Sequence, residues 1–234
     1  KTPFKPEVTT RLVKFADFIF WLSGLEGTVP AIGDDDEGRA ISLCQPEHDY
    51  ATSVAMAIKG FAGQGAPLAA GVSLRNAIFP APTASIPVAL GAKTFADGGY
   101  SVWRGHHAQQ DIHAVFDHGP LGYLSIAAHG HADALALWLA VDGQPVLVDP
   151  GTYRYQAGGA WRDWFRSTRA HNTLTIAGTS QSLASGAFNW SHKTVSRLDA
   201  VTEAPWRVVA SHDGYQRRFG ARHQRVVALT EQGL

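Results

Sequence analysis

The chain has 234 residues, of which 45% are hydrophobic and 17% are charged, which is typical of a globular protein with a sizeable core and excludes a disordered one. Its 20 basic residues balance 20 acidic ones, so no net field attracts nucleic acid or an anionic membrane. Affinity for an anionic partner would therefore have to come from a local patch.

Two segments in the first third of the chain have the spacing of buried helices. In TTRLVKFADFIFWLSGLEG, apolar residues recur every three or four positions after a threonine that could cap the helix. EHDYATSVAMAIKGFAGQG predicts a second helix from about Glu47 to Phe61, which glycines then end. Within the first segment, LVKFADFIFWLSGL is interrupted by Lys14 and Asp17 and is too short to span a bilayer, and it does not have the pattern of a signal peptide.

The loop between these helices contains GDDDEGR, from Gly33 to Arg39. Clustered carboxylates suggest calcium, but the spacing is not that of an EF-hand, and a solvated loop capping the next helix is the favoured interpretation. The only cysteine, Cys44, excludes an internal disulfide and is interpreted as an inert buried thiol.

The composition of the chain changes after an Ala-, Pro- and Gly-rich connector. Short β-branched or aromatic segments follow, separated by Gly, Asp and Asn, and they predict an antiparallel sandwich or barrel. ALALWLAVDGQPVLVD predicts a hairpin with Asp142 and Gly143 in its turn. We expect a helical part at 1–75, a connector at 76–95 and a β-domain at 96–234, with the chain cut at both ends.

Ionisable residues stand at the ends of this hairpin. His129 and His131 are two apart and would share a face on a strand. The open end of the hairpin would bring His131 to Asp149, and His171 precedes what reads as another strand. Two imidazoles and one carboxylate are a familiar zinc set, in which second partners orient the ligands; candidates for these partners are Asn172, Asp133 and His129.

Two other interpretations of these histidines stay open. They could be ordinary side chains satisfied by hydrogen bonds, since eleven histidines are spread over the chain. His131 and Asp133, with His171, could also form the facial triad of an iron oxygenase.

A basic and aromatic stretch, TYRYQAGGAWRDWFRSTRAHN, follows Asp149. Guanidinium groups bind carboxylate or sulfate, and aromatic faces stack on sugar rings, so the stretch suits an acidic glycan. The candidate substrate-binding residues are Tyr153, Tyr155, Arg162 and Arg166. Alternatively, the aromatic side chains of this loop pack against the helical part.

The ordered elements HGHAD, DPGTYRY and FRSTRAHNT, spread between about Gly98 and Trp190, resemble the heparinase II/III-like family of polysaccharide lyases. The upstream PAIGDDDEGR also looks like a stretch of that family. The resemblance implies the last helices of an (α/α) toroid followed by an antiparallel β-sandwich. It also implies a mainly structural zinc ion on His131, Asp149 and His171, and places His129 in the active site near a substrate carboxylate.

The chemistry that the resemblance implies is β-elimination on a uronate-containing glycan, in a bacterial enzyme that is periplasmic or secreted. Neutralising the uronate carboxylate favours loss of the C5 proton, and an acid then protonates the departing O4 oxygen. The family's main base and acid lie in the toroid at positions outside this chain, so we expect the chain alone to be inactive. The alternatives are a non-catalytic glycan-binding or scaffold module and, less favoured, the iron oxygenase.

Overall fold

The computed structural model describes residues 4–24, 28–35, 50–67, 75 and 78–231. Its contacts divide the chain into two units, Lys1–Val29 with Arg39–Leu90, and Pro30–Gly38 with Gly91–Leu234. The acidic loop near residue 34 thus belongs to the second unit, and the predicted boundaries at 75 and 95 stay predictions. Within the described ranges, no helix is both long and apolar enough to cross a membrane. Cys44 lies outside the described residues, as do 36–39 of GDDDEGR.

The first unit is built on helices α1 (Pro6–Leu22) and α2 (Tyr50–Phe61). The predicted threonine cap is wrong, because α1 begins at Pro6, whose missing N–H costs nothing in the first turn. The two helices bury a shared apolar cluster that includes Phe20 and Met56. The Nζ atom of Lys59, which is buried on α2, lies 2.6 Å from a carboxylate oxygen of Asp17 on α1.

The second unit contains a five-stranded antiparallel sheet in chain order. Its strands are β1 (Gly91–Phe95), β2 (Tyr100–His107), β3 (Gln110–Asp117), β4 (Leu137–Val141) and β5 (Gln144–Leu147). β4 and β5 form the predicted hairpin. Asp142 and Gly143 both have positive φ, at 50° and 73°, as a primed two-residue turn requires.

A second antiparallel sheet has the order β10-β9-β8. It consists of β8 (Ser196–Glu203), β9 (Trp206–His212) and β10 (His223–Ala228), and a two-stranded ribbon pairs β6 (Leu183–Ala184) with β7 (Trp190–His192). Two short helices lie in the connections, α3 (Gly159–Phe165) and α4 (Gln216–Phe219).

Side chains from both larger sheets form one apolar core. Alternate residues of β3, including Phe116, point into it, and so do Trp206 and Val208 of β9. The unit is therefore an antiparallel β-sandwich, and the sequence-based fold class is confirmed: helices first, then a sandwich.

Irregular segments that lead into and out of these strands carry the residues of interest. Residues 129–131 precede β4, Asp149 follows β5, and His171 follows a 3₁₀ turn at Thr168–Ala170. The predicted strand after His171 is wrong: residues 172–178 have only an isolated bridge at Ile176, and side-chain bonds fix them instead. The Tyr215 hydroxyl donates to the Leu174 carbonyl at 2.6 Å, and Arg225 donates to the Asn172 carbonyl at 2.6 Å.

Candidate functional site

Three side chains from separate segments converge at one end of the sandwich. One ligand atom each of His131, Asp149 and His171 lies within 4.8 Å of the other two. The His131 Nδ1 atom is 3.3 Å from His171 Nε2, which is 3.6 Å from an Asp149 carboxylate oxygen. Tetrahedral ligands at about 2.0 Å from a zinc ion lie about 3.3 Å apart, so the two distances from His171 match such an ion, and all three residue types are ones that bind zinc.

Each of these side chains uses its other polar atom for a bond within the protein. The Nδ1 atom of His171 is 2.8 Å from the Ser167 carbonyl oxygen, so that nitrogen is the donor and Nε2 is free to bind an ion. One oxygen of Asp149 accepts the Gly151 N–H at 2.9 Å, and the other faces His171. Such outer partners are what metal ligands require to keep their orientation.

The outer partner of His131 is Asp34, from the acidic loop. The Nε2 atom of His131 lies 3.0 Å from Asp34 Oδ1. The two terminal nitrogens of Arg162 donate to the two oxygens of the same carboxylate, at 2.5 and 2.6 Å. The prediction that this loop is solvated is wrong for Asp34, whose side chain is only 2% exposed. Burial by itself raises the pKa of Asp34, but the bonds from His131 and Arg162 outweigh burial and hold the pKa well below its usual range.

Several carboxyl groups lie beside the three converging side chains. Burial raises the pKa of Asp149, His171 lowers it in part, and Asp133 raises it further. The pKa of Asp117 is also raised, first by burial and then by Asp133. Carboxyl groups are therefore crowded at this end of the sandwich, and a bound cation would stabilise the charged form of Asp149.

His129 lies beside this site but faces solvent, with 48% of its side chain exposed. The backbone there is left-handed, at φ 59°, a conformation that non-glycine residues adopt rarely and often at functional sites. The ring stacks on that of Tyr155 at 5.7 Å between centroids, and the Tyr155 hydroxyl is 3.4 Å from His129 Nδ1. Phe188 also packs against Tyr155, at 4.9 Å between ring centroids.

The two candidate arginines have partners inside the domain. Arg162 and Arg166 are each only 2% exposed. Arg166 donates to the carbonyl oxygens of Gly186 and Ala187, at 2.9 and 2.6 Å, and its guanidinium lies 4.5 Å from the centre of the Trp190 ring. Their predicted contact with substrate stays a prediction, and in this structure both guanidinium groups tie α3 to neighbouring segments.

Aromatic side chains of the same region are exposed. Tyr153, Trp161 and Trp164 are all half-exposed, and Phe165 stacks on Tyr153 at 5.3 Å between centroids. α3 thus buries Arg162 and presents Trp161 and Trp164 to solvent.

A family model described as Heparinase II/III-like, C-terminal, matches residues 88–234. The chain belongs to this heparinase II/III-like family. A search among curated proteins found no match. Solved structures show the same fold at low identity. A heparinase III gene product with methylated lysines matches with 16% identity and a TM-score of 0.66, and the match covers 97% of this chain and 31% of that protein's chain.

A mutant of the heparan sulfate lyase HepC from Pedobacter heparinus matches with 18% identity and a TM-score of 0.61. This match covers 98% of this chain and 32% of the HepC chain. A crystal structure of heparinase III matches with 18% identity and a TM-score of 0.60, and the match covers 98% of this chain and 34% of the heparinase III chain. The chain thus spans about a third of the length of these structures.

The sequence of this heparinase II/III-like chain predicts the three converging residues but not their surroundings. His129 and His131 do not share a strand face, because their segment is irregular and one side chain is exposed while the other is buried. Asp149, and not Asp133, joins the two histidines in the group found among the described residues. Asn172 donates to the Val148 carbonyl at 2.7 Å, which holds the backbone just before Asp149.

Proposed function

We propose that this chain is part of a polysaccharide lyase that cleaves uronate-containing glycans by β-elimination, with His129 at the substrate and a zinc ion on His131, Asp149 and His171. The observation that carries the proposal is a solvent-facing histidine next to a buried His-Asp-His group, in a member of the heparinase II/III-like family. A polymer substrate is met outside the cytoplasm, so we propose a periplasmic or secreted location.

The elimination breaks the C5–H and C4–O4 bonds of a uronic acid and forms a C4=C5 double bond. Charge builds on the C5 carboxylate as the proton leaves, and a fixed donor near that carboxylate lowers the barrier. The exposed His129 ring supports this role, because stacking on Tyr155 fixes its plane while one edge stays open to solvent. In the proposal, the groups that remove the C5 proton and protonate O4 come from outside this chain.

Zinc at the His-Asp-His group would be structural. The ion would join the entry to β4, the exit from β5 and the segment after α3, which are the loops that frame His129 and Tyr155. The spacing of the ligand atoms and the outer partners of all three side chains support a tetrahedral ion.

A second candidate function is glycan binding without catalysis. The half-exposed Tyr153, Trp161 and Trp164 favour it, because aromatic faces on a neutral protein bind sugar rings whatever the catalytic state. The two functions differ in what happens to the glycan: cleavage by elimination creates a new double bond, whereas binding leaves the glycan unchanged.

The test uses the protein that carries this chain, incubated with heparan sulfate and with alginate. The new C4=C5 bond is followed by its ultraviolet absorbance. We expect His129→Ala to lower kcat by about 100-fold or more, the usual effect of losing a donor to a developing oxyanion. His106→Ala removes an exposed histidine of β2 and should leave kcat unchanged. Binding without new absorbance by the wild-type protein would favour the glycan-binding module, and full activity of His129→Ala would contradict the catalytic assignment.

A further inference from the structure

The carboxylate of Asp34 makes three directed bonds in a buried setting. Arg162 donates to both oxygens, at 2.5 and 2.6 Å, and His131 Nε2 lies 3.0 Å from Oδ1. Both partners are nearly inaccessible to solvent, at 0% and 3% of their side chains. Water therefore does not compete with these bonds, and the geometry of the carboxylate is fixed by the protein.

A neutral imidazole carries its proton on one of two nitrogens, and only the other one can bind a metal ion. An ionised carboxylate accepts hydrogen bonds and cannot donate them. The nitrogen that faces Asp34 must therefore hold the proton, which leaves the Nδ1 atom of His131 toward His171 and Asp149.

We propose that Asp34 is the positioning residue of the metal centre: its carboxylate sets the tautomer and ring orientation of His131, and Arg162 holds that carboxylate in place. This inference rests on the metal site proposed above and deepens it. It also gives the acidic loop, which no sequence pattern tied to the histidines, a defined task.

The backbone of the acidic loop is bound to the same segment. The Asp34 N–H donates to the His129 carbonyl at 2.9 Å, and the Asp35 N–H donates to the Thr152 hydroxyl at 2.5 Å. An Asp34 oxygen also lies 3.9 Å from His129 Nδ1. One aspartate thus contacts a metal ligand, the candidate catalytic histidine and the helix that carries Arg162, so disturbance at Asp34 should reach both histidines.

The experiment compares the wild-type protein with Asp34→Asn and with Asp35→Asn, which makes the same change at the exposed neighbouring residue. Zinc affinity is measured by competition with a chromophoric chelator. The tautomer of His131 is read separately, in metal-free protein, from the ring nitrogen shifts of ¹⁵N-histidine, assigned with a His131→Gln variant. Asp34→Asn/Arg162→Gln serves as a second variant if Arg162, left without its anion, prevents folding.

We expect Asp34→Asn or the double variant to bind zinc about 10- to 100-fold more weakly, the usual effect of removing an outer partner. The Nε2–H signal of His131, dominant in wild-type protein, should give way to a mixture of tautomers, and Asp35→Asn should match wild type in both. Unchanged zinc affinity in the folded Asp34 variants would overturn the inference and leave the metal site intact. An Nδ1–H tautomer in wild-type protein would also overturn it. No zinc binding by wild-type protein would instead overturn the metal site, while the tautomer would still test the contact between Asp34 and His131.

Discussion

The Nδ1 atom of His131 and the Nε2 atom of His171 face each other at 3.3 Å, and each ring uses its other nitrogen for a bond to the protein. If both outer nitrogens carry their protons, two lone pairs point at one another. This arrangement is favourable only with a cation or a shared proton between the rings. We therefore expect metal occupancy to determine how this end of the sandwich is held together.

We predict that the purified protein retains about one zinc ion per chain and that His171→Ala loses it. Removing the ion should lower the melting temperature, because an ion that binds only the folded state stabilises it in proportion to its affinity. Elemental mass spectrometry after dialysis measures occupancy, and thermal unfolding with and without chelator measures stability. His106→Ala, in an exposed position, is the control. Iron in place of zinc would contradict the assignment, and retention of the ion by His171→Ala to the same extent as by His106→Ala would place the ion elsewhere.

The sequence was informative where a local pattern determines geometry. A two-residue turn of Asp142 and Gly143 defines the hairpin, the hairpin defines which chain ends meet, and from those ends the approach of His131 and Asp149 followed. His171 was placed by a strand predicted to follow it, which is wrong, and by the family resemblance.

The sequence was uninformative where contacts join distant segments. Asp34 is 97 residues from His131 and 128 from Arg162, and no periodicity links the three. A run of acids reads as a solvated loop, and an arginine among aromatic residues reads as a ligand for substrate. Only the fold shows that Asp34 and Arg162 neutralise each other in the interior.

We predict that Gly33→Ala disturbs the acidic loop. Gly33 has φ +62°, and an added Cβ would collide with the carbonyl oxygen of His129. Gly220→Ala is the matched control, because Gly220 has φ +64° with no atom within 4 Å of the added Cβ. Both variants incur the left-handed strain of about 1 kcal/mol, and only Gly33→Ala adds the collision. Urea unfolding should show a larger loss for Gly33→Ala by at least about 1 kcal/mol, together with weaker zinc binding. Equal losses would mean that the loop relaxes freely.

We predict that Arg166→Met reduces stability rather than substrate affinity. The variant keeps most of the side-chain volume but removes the donor to the Gly186 carbonyl oxygen. It also removes the shorter of two bonds to the Ala187 carbonyl oxygen, to which Arg162 still donates at 3.3 Å, and the total cost should be about 2 to 3 kcal/mol. Arg169→Met changes an exposed arginine nearby and should cost little. Chemical denaturation gives the free energies, and KM for the glycan gives the second readout. A folded Arg166→Met protein of normal stability with a raised KM would support the predicted role in substrate binding.

We predict that the sandwich loses stability as the pH falls from about 6.5 to about 4 because of the His212 ring. Burial first, and then His223, lowers the pKa of His212 from 6.5 to about 4. In that interval the unfolded chain binds a proton at His212 that the folded chain does not. The free energy of unfolding must therefore decrease as the pH decreases. His118, whose pKa burial also lowers to about 4, acts in the same direction.

His212→Asn retains an acceptor for the Gly214 N–H, which donates to His212 Nδ1, and removes the titration. Urea unfolding at about pH 7.5, 6.5 and 5 should show wild type losing roughly 1 to 2 kcal/mol more than the variant between the last two values. His106→Asn should follow wild type, and identical pH slopes for wild type and His212→Asn would show that His212 is protonated in the folded protein at its ordinary pKa.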